Sequence, residues 1–154
     1  MTELFRAMGL DVGTKTIGIA VSDPLAITAQ GVTTIRRSGL EADLAELRGL
    51  VEVYNASTLV VGYPRNMDGS AGEQARYVER FVASLQAALP LPVEYVDERL
   101  TTRMASQAML DLGVKARRRK EIIDQQAAAV ILQTWLDRRA RQAREAAAHV
   151  RDEE

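Results

Sequence analysis

Residues 5–22 read FRAMGLDVGTKTIGIAVS, two apolar runs separated by a short polar stretch that contains Gly13 and Lys15. Strand-like runs joined by a short turn with glycine predict a β-hairpin. The first run ends at Asp11, where packing gives little reason for a carboxylate. The neighbouring glycines allow a backbone or a phosphate group to approach closely. The stretch therefore predicts a hairpin that presents Asp11 in a functional site, with an ordinary turn aspartate as the alternative.

The rest of the chain alternates strand-like and helix-like segments. Further strands are predicted at Val32–Ile35, Thr58–Val61 and Val93–Val96, and helices at 40–54, 70–89, 101–113 and from Glu121 onward. Ser70 and Glu73 have the spacing of a capping box at the start of the second of these helices. A three-strand meander followed by β-α-β crossovers predicts an α/β fold, a mixed sheet with helices on both faces.

The 154 residues, 27% of them charged, have the size and composition of one globular domain. The absence of cysteine excludes disulfides, thiolate catalysis and cysteine zinc sites, and it fits a cytoplasmic protein. No apolar run approaches the roughly 20 residues that span a bilayer, so no membrane partner is expected. We expect the domain to cover residues 1–138, followed by a charged, alanine- and arginine-rich helical tail over 139–154 that frays.

Two later acids are expected near Asp11. In open α/β sheets, ligand-binding and active sites lie beyond the carboxyl ends of the strands. Asp11 ends the first predicted strand, and Glu98 follows the last one. Asp124 is expected in the first turn of the last helix, on the same face as Ala127, which packs on the sheet. The alternatives are an ion pair between Glu98 and Arg99 and a helix-dipole role for Asp124.

Three carboxylates in one cleft would repel one another unless a cation lay between them. Mg²⁺ and Mn²⁺ prefer oxygen ligands, and two such ions can activate a water and stabilise the leaving oxygen of a phosphodiester. This chemistry needs no imidazole, and the only histidine is His149 in the tail. The acids therefore predict a Mg²⁺ or Mn²⁺ site that acts on phosphate.

Basic residues accompany these acids along the chain. Five of the six residues from Lys115 to Lys120 are basic, and such a patch binds nucleic acid electrostatically, although a solvated loop is the alternative. The predicted nucleic-acid contacts combine this patch with the hairpin turn, the loop after the fourth strand and one further arginine: Thr14, Lys15, Arg65, Asn66, Arg99, Lys115, Arg117, Arg118, Arg119 and Lys120. For the turn and the loop, a purely structural role is the alternative.

Four segments resemble the signature blocks of the YqgF (RuvX) family and occur in the family's order. They are GLDVGTKTIGIAVS at 9–22, VGYPRNMDGS at 61–70, DERLTT at 97–102 and DQQAAAVIL at 124–132. The family often has leucine where Tyr63 stands here, which leaves the acids untouched. The family is similar in fold to ribonuclease H and to bacterial Holliday-junction resolvases. Its members are described as such resolvases or as nucleases that mature the 5′ end of pre-16S rRNA.

The resemblance implies a metal-dependent endonuclease with a ribonuclease H-like fold, in which Asp11, Glu98 and Asp124 are the catalytic and metal-binding carboxylates. The implied partner is nucleic acid, either pre-rRNA or a four-way DNA junction. Two symmetric cuts in a junction need two active sites. A junction substrate therefore predicts a homodimer.

Two other functions compete with this interpretation. The first is a nucleic-acid-binding module that keeps the fold without catalysis. The second follows from Asp11, Gly13 and Thr14, which also resemble the first phosphate motif of actin-like ATPases and sugar kinases. Those enzymes need two lobes around a nucleotide, about twice the length of this chain.

Overall fold

The computed structural model describes residues 6–97 and 116–152, with side chains from residue 121 onward in the second range. The described elements, in chain order, are β1 (Ala7–Val12), β2 (Thr16–Ser22), β3 (Ala29–Arg36), α1 (Leu40–Tyr54), β4 (Thr58–Tyr63), α2 (Glu73–Ala88), β5 (Val93–Asp97) and α3 (Ala116–Asp152). None of the helices in these two ranges contains an apolar stretch that could span a bilayer. The helix predicted at 101–113 lies outside the described residues.

The five strands form one mixed sheet in the order β3-β2-β1-β4-β5. The first three strands make the predicted antiparallel meander, and β4 and β5 add to β1 in parallel. The carboxyl ends of β1, β4 and β5 therefore meet at one edge, called the carboxyl edge below. This arrangement confirms the predicted α/β fold with a mixed sheet.

Alternation along the strands divides the core into two layers, because successive side chains point to opposite faces of a sheet. On one face, Leu10 and Val61 belong to a buried cluster with residues of α1 and α2, such as Leu47 and Leu85. On the other face, Val60 belongs to a second cluster with residues of α3. Helices cover both faces, as predicted.

The first residue of α2 differs from the prediction. The helix begins at Glu73, its N-cap is Gly72, and no side chain caps it. The predicted capping box at Ser70 is therefore wrong. The Ser70 hydroxyl donates instead to Asp68 Oδ1 at 2.6 Å, a bond within the preceding loop. The predicted apolar stripe of α2 is confirmed, since its members are all buried: Val78, Phe81, Val82, Leu85 and Leu89.

The last helix is longer than predicted at its amino end. It begins at Ala116 and runs for 37 residues, because the basic residues interpreted as a loop are themselves good helix formers. Asp124 thus lies eight residues beyond Ala116 and not in the first turn. A helix-dipole role, which fades after the first turn, no longer accounts for this carboxylate. The tail is helical as far as Asp152, and fraying of its end stays a prediction.

Three glycines let α3 lie directly on the sheet. A Cβ atom on Gly9 would lie 2.8 Å from the Ala128 carbonyl oxygen, and one on Gly31 would lie 2.9 Å from Gln125 Cβ. The closest approach is at Gly18, where a Cβ atom would lie 2.0 Å from the carbonyl oxygen of Asp124. These three glycines lie on β1, β3 and β2, so α3 crosses the whole antiparallel meander at backbone contact distance.

We predict that Gly18→Ala destabilises the protein, because the new methyl group meets helix backbone, which cannot move aside as a flexible side chain would. The expected cost is about 3 kcal/mol, at the upper end of the usual range for overpacking. Gly49→Ala is the matched control, because a Cβ atom there has no neighbour within 4 Å. Since Gly49 lies inside α1, alanine should stabilise the fold by about 0.5–1 kcal/mol. Urea denaturation measures both changes, and equal stability of the two variants would contradict the described helix–sheet contact.

Candidate active site at the carboxyl edge

Asp11 and Asp124 lie on the same face of the sheet. Asp11 is paired across the hairpin with Gly18, and residues directly opposite in an antiparallel pair project to the same side. The Cβ direction of Gly18 runs into the backbone of Asp124, with the carbonyl oxygen 2.0 Å and Cα 3.2 Å from the ideal Cβ position. The side chain of Asp11 therefore projects toward the face that α3 covers at Asp124. Both aspartates are partly exposed.

Thr16, which is not among the predicted site residues, contacts this site directly. Its hydroxyl donates a hydrogen bond of 2.6 Å to Asp124 Oδ2. Thr16 precedes Gly18 by two residues on β2, so the two residues share a face of the sheet. Strand alternation alone would have placed this hydroxyl on the side of Asp11. What the sequence could not show was that α3 delivers Asp124 to that position.

The hairpin turn between β1 and β2 is closed by a 2.9 Å hydrogen bond from the Gly13 amide to the Thr16 carbonyl. Thr14 and Lys15 lie at its tip and are exposed. The Lys15 carbonyl accepts a 2.9 Å hydrogen bond from the Arg37 amide, which joins the tip to the end of β3. The backbone of the turn is therefore fixed while its side chains face solvent. Contact of Thr14 and Lys15 with nucleic acid stays a prediction.

A largely buried arginine, Arg37, holds the same turn from the other face of the sheet. Its guanidinium pairs with the buried Asp43 at 2.9 Å and donates to the Gly13 carbonyl at 3.1 Å. It also donates to the Tyr77 hydroxyl and lies 4.9 Å from the centre of the Phe81 ring. This network links the hairpin turn to the start of α1 and to α2.

The loop after β4 also lies at the carboxyl edge. Arg65 approaches Asp97, the last residue of β5, with Nε 3.8 Å from Oδ2. It donates to the Gly69 carbonyl at 3.1 Å, and Asn66 Nδ2 donates to the Ser70 hydroxyl at 3.1 Å. Both predicted contact residues thus have structural bonds within the loop or to β5. Their contact with nucleic acid stays a prediction.

Two tyrosines at this edge are poor candidates for a base. The Tyr63 hydroxyl donates to the carboxylate of Glu79, which raises the pKa of Tyr63 above its usual 10.0. Burial raises the pKa of Tyr95, whose ring packs edge-on against Tyr63 with centroids 5.0 Å apart. Both phenols therefore stay protonated at neutral pH, where they can donate hydrogen bonds but not accept a proton.

The polar groups assembled here are oxygen donors, which suit Mg²⁺ or Mn²⁺ better than softer metals. They are the carboxylates of Asp11 and Asp124 and the hydroxyl of Thr16. Over residues 6–97 and 116–152, no group of three or more His, Cys, Asp or Glu side chains is placed to hold a metal ion. The third predicted carboxylate, Glu98, lies outside the described residues.

Most of the predicted basic contacts also lie beyond what the structure describes. Arg99 and Lys115 lie outside the described residues, and for Arg117, Arg118, Arg119 and Lys120 only the helical backbone is described. Their part in binding nucleic acid stays a prediction.

A model of the RuvX family, described as Holliday junction resolvase, matches residues 5–138. The chain belongs to the RuvX family. Among its relatives, a protein of Moorella thermoacetica is 59% identical over 133 residues, which cover 86% of this chain and 95% of the relative. One from Myxococcus xanthus is 51% identical over 132 residues, which cover 86% of this chain and 87% of the relative. Both relatives carry the name "Putative pre-16S rRNA nuclease". These matches confirm the resemblance found in the four sequence blocks.

Solved structures show the same fold at low sequence identity. RuvC of Thermus thermophilus, in a complex with a Holliday junction, aligns with a TM-score of 0.55 and 17% identity, covering 88% of this chain and 96% of RuvC. Fowlpox virus resolvase, also solved with Holliday junction DNA, aligns with a TM-score of 0.51 and 9% identity. The alignment covers 86% of this chain and 97% of the viral protein. At such identities the likeness establishes the fold, which is the predicted ribonuclease H-like type of the RuvC resolvases.

We predict that Arg37→Met lowers stability by about 3–5 kcal/mol, because it leaves the buried Asp43 carboxylate without its cation. The neighbouring Arg36 offers a matched control, since its ion pair with Glu121 is exposed, with 58% and 37% of the two side chains accessible. Arg36→Met should cost about 0–1 kcal/mol. Denaturant titration of both variants measures the difference, and similar losses would show that the Arg37 network does not brace the hairpin turn.

Proposed function

We propose that this RuvX-family chain is a divalent-metal-dependent endonuclease that hydrolyses phosphodiester bonds in structured nucleic acid. The observation that carries the proposal is the contact between Gly18 and the backbone of Asp124. It puts Asp124 beside the cross-strand partner of Asp11, so that two carboxylates distant in sequence share one face at the carboxyl edge. Ordinary packing does not require two acids there, and oxygen-rich edges of this kind suit phosphate chemistry that uses metal ions.

Asp11, Asp124 and Glu98 are the proposed ligands for Mg²⁺ or Mn²⁺. When bound, such ions activate a water and stabilise the leaving oxygen of a phosphodiester. Water adds to phosphorus, the bond from phosphorus to the 3′ oxygen breaks, and the products carry a 5′-phosphate and a 3′-hydroxyl. No histidine takes part in this proposal.

The hairpin turn is suited to bind the phosphate backbone of the substrate. Lys15 at its exposed tip supplies a positive charge, and Thr14 supplies a hydroxyl donor. The hydrogen bonds of the Gly13 amide and the Lys15 carbonyl fix the backbone of this tip next to the strand that carries Asp11, so that the Lys15 side chain can bring a phosphate toward the carboxylates. The basic residues from Lys115 to Lys120 and the loop with Arg65 and Asn66 would extend the contact along the nucleic acid.

We propose precursor 16S rRNA as the preferred substrate, because a relative that is 59% identical, with 95% of its length covered, is named "Putative pre-16S rRNA nuclease". This substrate fits the cytoplasmic location expected from the sequence and does not require a dimer. A four-way DNA junction is the second candidate, favoured by the description of the family and by the fold shared with RuvC. Resolution of a junction would require a homodimer, because two symmetric cuts need two sites.

Cleavage assays with Asp11→Asn and Asp124→Asn test the proposal. The substrates are an rRNA precursor with its 5′ extension and a four-way DNA junction, each with Mg²⁺ or Mn²⁺. Loss of a ligand should lower the rate by more than about 100-fold, since even loss of a partner that only orients a ligand costs roughly 10–100-fold. Asp152→Asn, at the exposed end of α3, is the matched control and should cleave at the normal rate.

Two results would overturn the proposal. Full cleavage by a folded Asp11→Asn variant would remove Asp11 from the reaction. Binding of either substrate by the unaltered protein without cleavage under any metal would instead identify a non-catalytic nucleic-acid-binding module. Such binding should weaken steeply with salt if the basic residues carry it.

A further inference from the structure

We propose that Thr16 is a positioning residue for Asp124: its hydroxyl fixes the orientation in which that carboxylate meets the divalent ions. This inference rests on the proposed function, and it assigns a role to a residue that the family resemblance did not bring out. It starts from one contact, the 2.6 Å hydrogen bond from Thr16 Oγ1 to Asp124 Oδ2. A short hydroxyl–carboxylate bond of this length is typical of a charge-assisted interaction.

The donor end of this bond is rigid. The Thr16 carbonyl accepts the hydrogen bond that closes the hairpin turn, and Thr16 is paired with Arg36 of β3 in the sheet. Threonine is branched at Cβ, which limits its side-chain rotamers. The hydroxyl is therefore restricted to the face of the sheet that carries Asp11, whereas the exposed side chain of Lys15 is not restrained in this way.

The acceptor end is equally restricted. The carbonyl of Asp124 lies against Gly18, so the helix cannot move closer to the sheet at this residue without a clash. With the backbone fixed, the two side-chain torsions of Asp124 are its remaining freedom. The hydrogen bond from Thr16 holds Oδ2 and so restrains these torsions. Ligands held this way need no reordering when an ion binds, and loss of the orienting partner typically lowers metal affinity 10–100-fold.

The competing explanation is that Thr16 merely ties α3 to the sheet. The chain contains a bond of that kind nearby, which gives a matched control. Thr34 on β3 donates from its hydroxyl to the backbone carbonyl of Glu121 at 2.8 Å. Thr34 thus joins the same helix to the same face of the sheet, but through main chain and one helical turn away from Asp124. Removing its hydroxyl should affect stability without affecting metal binding.

The experiment compares Thr16→Val, Thr16→Ser and Thr34→Val in the full chain. Valine keeps the shape of threonine and removes the hydroxyl, whereas serine keeps the hydroxyl. Calorimetry measures the affinity for Mn²⁺ alone, and cleavage is followed against Mg²⁺ concentration. Thr16→Val should weaken Mn²⁺ binding by about 10-fold or more and shift the Mg²⁺ dependence to higher concentration. Thr16→Ser and Thr34→Val should stay within about 3-fold of the unaltered protein, a loss well below that expected for a lost orienting partner.

Each outcome decides the inference. Normal Mn²⁺ affinity and a normal Mg²⁺ dependence in a folded Thr16→Val variant would overturn it. So would an equal loss in Thr34→Val, which would point to general loosening of α3. An equal loss in Thr16→Ser would overturn it too, because it would show that keeping the hydroxyl does not preserve metal binding. Failure of the proposed function is separate, because in that case the unaltered protein itself would not cleave, whatever Thr16 does.

Discussion

The contact between Gly18 and the carbonyl of Asp124 is the constraint on which the candidate site depends. A side chain at position 18 would occupy the space of the helix backbone, since its Cβ would lie 2.0 Å from that oxygen. With glycine there, α3 lies directly on the hairpin, and Asp124 arrives beside the strand that carries Asp11. Gly9 and Gly31 extend the same close approach to the neighbouring strands. The arrangement of the acids is therefore a consequence of which strand positions lack a side chain.

The opposite face of the sheet supports the same hairpin by different means. There the Arg37 guanidinium lies among aromatic rings, pairs with Asp43 and donates to the Gly13 carbonyl. A buried charge is costly unless it is paired and hydrogen-bonded, so this network specifies one position for the turn. The hairpin is thus held by backbone packing on the side of α3 and by a polar network on the side of α1 and α2. Its exposed tip, with Lys15, is presented from a fixed base.

Much of the fold could be predicted from the sequence because apolar periodicity is a local property. The hairpin, the meander, α1 and the buried stripe of α2 all follow from short windows of residues. The start of α3 could not be predicted, because a run of arginine and lysine suits a solvated loop and an exposed helix equally well. The false capping box at Ser70 shows the same ambiguity, since serine bonds within loops as readily as it caps helices.

The candidate site was only partly predictable. Asp11 and Asp124 both lie within family blocks, and Asp11 also lies near the end of a strand, whereas the predicted place of Asp124 in the first turn of a helix is wrong. Thr16 and Arg37 were not predicted, because their roles depend on partners brought together by the fold: Thr16 bonds to a residue 108 positions away. The glycines of the hairpin predict a close approach, but the sequence fits a phosphate and a backbone equally well. At Gly18 the structure shows the backbone of α3.

Anomalous X-ray diffraction from crystals of the protein soaked in Mn²⁺ would show whether Asp11 and Asp124 bind the same metal ion. We expect an anomalous peak at the carboxyl edge, bonded to carboxylate oxygens of both side chains. Catalytically active crystals in which Mn²⁺ binds elsewhere, with these two side chains too far apart to share an ion, would contradict this expectation.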